Sequence, residues 1–423
     1  MMGNGFEYGN YEECIDVKAS GDYGNFTGKH CVVDFPLPIP SEYSSNENLY
    51  DIVKFRWSIC VPSSCRGTDL TYLIKYGLHQ SAVVNERACI TKDTNRPLLP
   101  WEIFTLCVIG VFLMLVLLST LYDHFKSSAK KNEFFQSFSI TRNFKTMMDM
   151  STPPGSIDAL HGIRFSCTVG VILAHVYMCV CIGANVNLIH YTYWLSDWDH
   201  LYITSRGVML DAFFLLGGFL VSYIFMKERN SGKKFNLALY ILHRFLRIAP
   251  AMYMVLLITA TLSNRLSVAP LWRTWSEINE RKCHETWWQH VLFIQSWYGN
   301  LYCMEHAWYL SVDMQLFIIS PIMLYPLHRW PKIGIGVTIF TIVLSFFGSF
   351  TSSYLYRENV DLFRNSFKIE RDLYELPYNR LGPWAIGIFC GYIAYQNRHY
   401  KNNKSEEGNH GCNDSPGKRC KKV

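Results

Sequence analysis

Residues 160–180 read LHGIRFSCTVGVILAHVYMCV, an apolar run interrupted by Arg164 near its start and His175 three turns later. At about 100° and 1.5 Å per residue, this spacing leaves the two side chains roughly 20° apart around a helix and about 16 Å apart along it. One helix therefore presents a guanidinium foot and an imidazole on a single stripe. An ionisable residue at mid-bilayer costs about 2.5–3.5 kcal/mol on insertion scales, so such residues face protein or a water-filled path and serve a function. A structurally satisfied histidine is the competing reading.

A run of about 20 apolar residues suffices to cross a bilayer, and the pattern recurs on both sides of this one. Spans fall at 100–122, 160–182, 206–226, 242–262, 307–327, 332–353 and 381–397. Trp287–Tyr298 is apolar but too short, as a re-entrant or interfacial piece would be. The 423 residues are 49% hydrophobic and only 17% charged, too apolar for soluble domains in series. The expected fold is an all-α polytopic membrane bundle of about seven transmembrane helices, with an extracytoplasmic disulfide-rich N-terminal module.

The module's placement follows from charge. Lys126, Lys130, Lys131, Arg142 and Lys145 follow the first span, Lys227, Arg229, Lys233 and Lys234 follow the third, and Arg329 and Lys332 separate the fifth and sixth. These loops read as cytosolic. Residues 183–205 have no lysine or arginine but hold Asp197 and Asp199, as the opposite side would. Residues 354–380 blur the rule, since Arg357, Arg364, Lys368, Arg371 and Arg380 are interleaved with acids.

Residues 1–99 then lie outside the cytosol. Cys14, Cys31, Cys60, Cys65 and Cys89 share this polar segment with a glycosylation sequon at Asn25, a combination suited to an oxidising compartment. Five is an odd number, which leaves an unpaired thiol or a partner lost upstream. Cys283 and Cys303 fall on the same side and are further disulfide candidates. The opening MMGNGFEYGNYEEC has no apolar leader, so the expectation is a sequence cut short at its start, or else a reverse-anchor first span. Residues 123–157 form a basic cytosolic connector ending in STPPGS, and 398–423 form a polar tail with the composition of a disordered segment.

Within the bundle, depth arithmetic separates two layers. His175 is about 22 Å from the inner end of its span, while Asp211 and Asp313 lie about five and six residues from the outer ends of theirs. All three share the outer third. A carboxylate beside an imidazole fixes its tautomer and stabilises the imidazolium, as general-base catalysis requires. Ion pairs or hydrogen bonds between helices are the alternative for each aspartate. At the inner boundary, LHRFLRIAP places Arg244 and Arg247 three residues apart on one face, and with Arg164 they suit a phosphate-bearing ligand. An anchor to lipid headgroups is the alternative there. The chain has no Walker loop, GxSxG, HExxH or metal-binding spacing, and its basic residues do not gather on a nucleic-acid-binding face.

These segments resemble a known group. LHGIRF followed by LAH, then DAFFLLGGFLVSY, HRFLRIAP and WYLSVDMQ, stand in the order found in membrane acyltransferase family 3. The head, with GNYEECIDV, GKHC and FRWSICVPSSC, resembles the cysteine-rich amino-terminal domain of the nose resistant to fluoxetine branch of that family. Together the matches cover most of residues 5–397. The resemblance implies transfer of an acyl group from cytosolic acyl-CoA, as co-substrate, to an acceptor hydroxyl on the lumenal or extracellular side, with no permanently bound cofactor and no metal. The acceptor is a lipid, sterol, glycan or protein, and the membrane is the plasma membrane or an endomembrane. By position, His175 matches the family's essential histidine, while Arg164, Arg244 and Arg247 match its arginines. Asp211 and Asp313 take support roles.

Two departures matter. Gly217 stands where the family commonly has serine and Asp313 where many members have glutamate. After LGPWAIGIFCGYIAYQ the family continues through further spans, so the domain at 158–397 is expected to be truncated. An inactive truncated form is therefore one alternative. A non-enzymatic lipid or small-molecule transport protein is another, because the same buried charges suit a carrier pathway.

Overall fold

A computed structural model of the chain describes residues 6–21, 24–36, 54–92, 97–125, 132–151, 156–182, 193–194, 197–200, 203, 206–267, 269–298, 303–356 and 374–413. Lys126, Lys130, Lys131, Arg357, Arg364, Lys368, Arg371 and the end of the expected tail lie outside these. The chain divides into two compact units, one comprising Met1–Gly162, Gly183–Leu188 and Tyr253–Glu285, the other Ile163–Ile182, Ile189–Met252 and Thr286–Val423.

The first unit contains the head, an α+β module. Its strands are β1 (Phe6–Glu7), β2 (Lys18–Gly21), β3 (Gly24–Pro36), β4 (Lys54–Pro62) and β5 (Val83–Thr91). β3 is long enough to pair with β4 on one edge and with β2 and then β5 along the other. Helix α1 (Tyr11–Asp16) is capped by Asn10, whose side chain accepts from the Glu13 amide. Gly28 lets β3 pass the end of α1, because a Cβ there would lie 1.8 Å from the Cys14 carbonyl oxygen. Helix α2 (Gly67–Gly77) covers the sheet through Leu70 and Ile74. Glu86 accepts from the Gly67 amide and pairs with Lys29, whose ammonium holds that carboxyl below the usual range. Disulfides Cys14–Cys60 and Cys31–Cys89 staple the module, and Cys65 is the odd thiol. Cys283 and Cys303 are each disulfide-bonded too.

The larger helices that follow are α3 (Pro100–Phe125), α4 (Glu133–Ser137), α5 (Ile140–Met148), α6 (Asp158–Ile182), α7 (Arg206–Asn230), α8 (Leu237–Thr261), α9 (Pro270–Val291), α10 (Trp308–Ile319), α11 (Pro321–Arg329), α12 (Pro331–Tyr356) and α13 (Pro377–Asn413). Among the described residues six spans are long and apolar enough to cross a membrane: α3, α6, α7, α8, the α10–α11 pair and α12. They match six of the seven expected. The seventh, 381–397, falls within α13, which is not among the six and stays helical past residue 398 to Asn413. Trp287–Tyr298 forms the end of α9 and a 3-10 turn at Gln295–Trp297.

Local chemistry explains the division of the fifth span. Pro321 has no N–H to offer the Phe317 carbonyl. The Ser320 hydroxyl donates to that carbonyl instead, at 2.7 Å, and accepts from Tyr240 of α8 at 2.8 Å. In the first unit, Glu102 of α3 is only 2% exposed and accepts from the Arg265 Nε and Nη2 at 3.0 and 2.9 Å.

The second unit is held by close approach of α7 and α13. Added Cβ atoms would lie 2.2 Å from the Trp384 oxygen at Gly218, 2.1 Å from the Leu215 oxygen at Gly387 and 2.3 Å from the Phe219 oxygen at Gly391. Gly387 and Gly391 form a GxxxG pair, the pattern by which membrane helices bring backbones together. Gly217 has a packing reason as well, since a side chain there would meet the fully buried Trp384 ring at 2.7 Å. The Ser345 hydroxyl of α12 donates to the Tyr378 carbonyl and accepts from the Gly382 amide, tying α12 to α13. Outward faces carry exposed apolar side chains such as Leu113, Phe340 and Phe347, which suit contact with lipid.

Overpacking a tight contact costs about 1–3 kcal/mol. Gly387→Val should therefore lower the melting temperature of the detergent-solubilised protein, whereas Gly110→Val, at a position with nothing within 4 Å, should leave it unchanged.

Candidate active site

Asp313 sits in α10, 4% exposed, with both carboxylate oxygens accepting from Nη2 of Arg244 at 2.7 and 2.5 Å. The Arg244 guanidinium also lies over the Phe317 ring, 5.1 Å from its centroid. Arg247, one turn further along α8, is close enough to act on the Asp313 charge. Arg164 and Arg244 both act on Tyr309, one turn before Asp313. Two guanidiniums thus act on the Asp313 carboxylate and a third, that of Arg164, acts on Tyr309 one turn away; those of Arg164 and Arg247 are exposed. One acid neutralises one of three cations, so this part of the unit favours an anionic ligand.

A second carboxylate is arranged differently. Asp211 of α7 accepts from Nη1 of Arg380 at 2.7 Å. Arg380 is 6% exposed, donates from Nε to the Tyr374 carbonyl at 2.7 Å, and lies over the Tyr374 and Trp308 rings at 4.1 and 5.9 Å. Tyr374 and Trp308 meet edge to face. The guanidinium is thus fixed on three sides, by Asp211 of α7, Trp308 at the start of α10 and Tyr374 in the segment before α13.

His175 is exposed on α6, and its Nδ1 lies 2.8 Å from the Val171 carbonyl oxygen. A carbonyl oxygen only accepts, so Nδ1 bears the hydrogen and the lone pair falls on Nε2. His306 is near enough for its charge to interact with that of His175 and with that of His290. Between α9 and α10 lies a buried polar turn in which Ser311 and Gln315 both donate to the Phe293 carbonyl, at 2.5 and 2.7 Å. Phe293 itself has φ of 56°, a conformation uncommon for a bulky side chain.

The structure therefore brings Arg164, Arg244, Arg247 and Asp313 together, but not as two separate layers. Arg244 and Asp313, expected at different depths, are in contact, because each lies about two turns inside its own span and the arginine side chain closes the gap. The expected support of His175 by Asp211 and Asp313 is corrected as well: both carboxylates bind arginines, and the Val171 carbonyl holds Nδ1. Sequence reasoning missed Arg380, His306, Tyr309 and His290. His306 and Tyr309 stand seven and four residues before Asp313, the spacing of one helical face, so their signal was present. Among the described residues no group of three or more His, Cys, Asp or Glu is placed to hold a metal ion.

Comparison with known proteins gives two family matches. The acyltransferase domain of acyltransferase family 3 matches residues 157–407, more than half of the chain, and the nose resistant-to-fluoxetine N-terminal domain matches residues 1–74. The Caenorhabditis elegans "Nose resistant to fluoxetine protein 6" is 23% identical, covering 96% of this chain and 58% of that protein. The "Regulator of hypoxia-inducible factor 1" of the same species is 26% identical, covering 46% of this chain and 41% of that protein. A Staphylococcus aureus protein named "Putative O-acetyltransferase SAS0844" is 22% identical, covering 49% of this chain and 32% of its own length. The chain thus spans from about a third to somewhat over half the length of these curated relatives. No solved structure matches.

His290 offers a test of the buried turn. It is fully buried and neither ring nitrogen is hydrogen-bonded among the described residues. Burial first, then the neighbouring His306, pulls its pKa from 6.5 to about 4. Between these values the unfolded chain holds a proton that the folded chain refuses, so stability is greatest above pH 6.5 and is lost as pH falls toward 4. Unfolding free energy across this window should change by up to about 1.4 kcal/mol per pH unit from this group, and His290→Gln should flatten that slope.

Proposed function

Because the chain belongs to acyltransferase family 3, we propose that it transfers an acyl group from acyl-CoA on the cytosolic side to an acceptor hydroxyl on the lumenal or extracellular side of a membrane. The observation that carries this reading is the surplus of positive charge around Asp313, within the same unit as a histidine whose Nε2 lone pair is free to act. The CoA phosphates are the natural counter-charge for Arg164 and Arg247, since guanidinium matches phosphate oxygens bidentately. Asp313 orients Arg244 rather than His175, and Asp211 braces Arg380.

In the proposed reaction His175 Nε2 takes the acceptor's hydroxyl proton while the acceptor oxygen attacks the thioester carbonyl. The C–O bond forms, the C–S bond breaks, and the imidazolium returns the proton to the departing CoA thiolate. No proton is gained or lost overall, and one residue serves as base and then acid. The acceptor is a lipid, sterol, glycan or protein. The disulfides of the head and the exposed sequon at Asn25 support an extracytoplasmic head in the plasma membrane or an endomembrane.

Radiolabelled acetyl-CoA supplied to the chain in membranes tests the assignment. His175→Ala should abolish label transfer into lipid, glycan or protein fractions while acetyl-CoA binding persists; full transfer by that variant overturns the role. Arg164→Ala and Arg247→Ala, whose side chains bridge no carboxylate among the described residues, should each weaken acetyl-CoA binding about tenfold. Flux of a small molecule without acylated product would instead favour a carrier. If the head is lumenal, Asn25→Gln should remove a glycosidase-sensitive shift in gel mobility.

A further inference from the structure

The connector between the first two spans contains a helix with no described protein covering one of its faces. In α5, ITRNFKTMM, the residues Ile140, Phe144, Met147 and Met148 stand at i, i+4, i+7 and i+8, within about 100° around the helix. They are 57%, 53%, 73% and 58% exposed. Arg142, Lys145 and Thr146 occupy the opposite side. Nine residues with four large apolar side chains turned outward would be a poor surface in water.

The position of α5 identifies what covers it. The Ile140 amide donates to the Thr120 hydroxyl at 3.1 Å, and the Ser139 hydroxyl donates to Asp123 at 3.2 Å. Both acceptors belong to the last turns of α3, within about 8 Å of the end of that membrane-spanning helix at 1.5 Å per residue. The start of α5 is therefore tied to the level where α3 leaves the hydrocarbon. Just before it, Phe134 and Phe135 of α4 are also exposed, and Phe135 packs on Tyr122 of α3. An amphipathic helix at that depth, apolar on one face and basic on the other, has the form of an interfacial helix.

We propose that α5 lies in the bilayer interface, with Ile140, Phe144, Met147 and Met148 among the acyl chains and Arg142 and Lys145 against anionic lipid headgroups. The charge pattern selects this occupant: α5 has two basic residues and no acid, and a basic side chain near an anionic surface contributes about 1 kcal/mol, a preference of roughly fivefold. The helix would thereby fix the exit of α3 at the membrane surface.

The test uses the full chain in nanodiscs of phosphatidylcholine, with and without phosphatidylserine, and a photoreactive benzoyl-phenylalanine at one position. At Phe144 or Met147 the expected product is a covalent lipid adduct; at Thr146, on the polar face, none. With phosphatidylserine present, Arg142→Glu combined with Lys145→Glu should reduce the Phe144 adduct severalfold. Adducts from Phe144 to a second copy of the chain or to another protein segment, or equal lipid labelling from Phe144 and Thr146, would overturn the proposal. Melting temperature measured alongside separates loss of docking from loss of folding.

Discussion

Asp313 is sealed among helices that cross a membrane, and a charge in that position must have a partner. Its pairing with Arg244 is the constraint on which the candidate site depends. Removing one member of a buried pair typically costs about 3–5 kcal/mol, because the other charge is left unpaired. The pair is reinforced within the same two helices: Tyr240 stacks on Phe317 at 4.0 Å, Arg244 lies over that ring, and the Tyr240 hydroxyl meets Ser320. Once α8 and α10 are locked in this register, Arg247 and Tyr309 follow at one turn's distance from Arg244 and Asp313. The geometry of four side chains of the candidate site thus derives from one ion pair and the aromatic contacts around it.

The same economy appears elsewhere. In the first unit the buried Glu102 pairs with the exposed Arg265, and in the second the buried Arg380 pairs with the half-buried Asp211. In each, arginine serves rather than lysine, and in each the guanidinium has further partners: the Pro97 carbonyl for Arg265, two aromatic faces and a carbonyl for Arg380. A planar ion with five donors can satisfy several neighbours at once in a fixed geometry. Charges inside this protein are tolerated because they are shared.

Packing and chemistry are distributed unequally. In the most apolar stretch of the span Glu305–Arg329, 56% of the residues are buried, whereas in that of α6, which bears Arg164 and His175, 6% are. The more buried span holds Asp313 and Tyr309; the exposed one presents the His175 imidazole. One close contact seats α6 against α7, where a Cβ on Gly170 would lie 2.2 Å from the Met209 sulfur. The Nδ1 hydrogen bond of His175 runs to the carbonyl one turn earlier on the same helix. A histidine held by its own backbone keeps its tautomer even where its helix is sparsely packed.

The sequence by itself determined the apolar spans, the stapled head and the chemically active residue types. These are local properties: run length decides a span, cysteine and sequon usage point to a compartment, and an eleven-residue interval puts Arg164 and His175 on one stripe. It also left one cysteine over, and Cys65 is that cysteine. Which charges meet was decided only by the tertiary structure. Depth arithmetic treats side chains as points on separate helices, and so it assigned Asp211 and Asp313 to His175. The actual partners, Arg380 and Arg244, lie 169 and 69 residues away, and their selection depends on helix neighbours and on the reach of a long side chain. The same applies to Gly217, which reads as a lost hydroxyl until the Trp384 ring is seen to occupy the space. Pairing and packing are relations between distant segments, and no periodicity within a single segment encodes them.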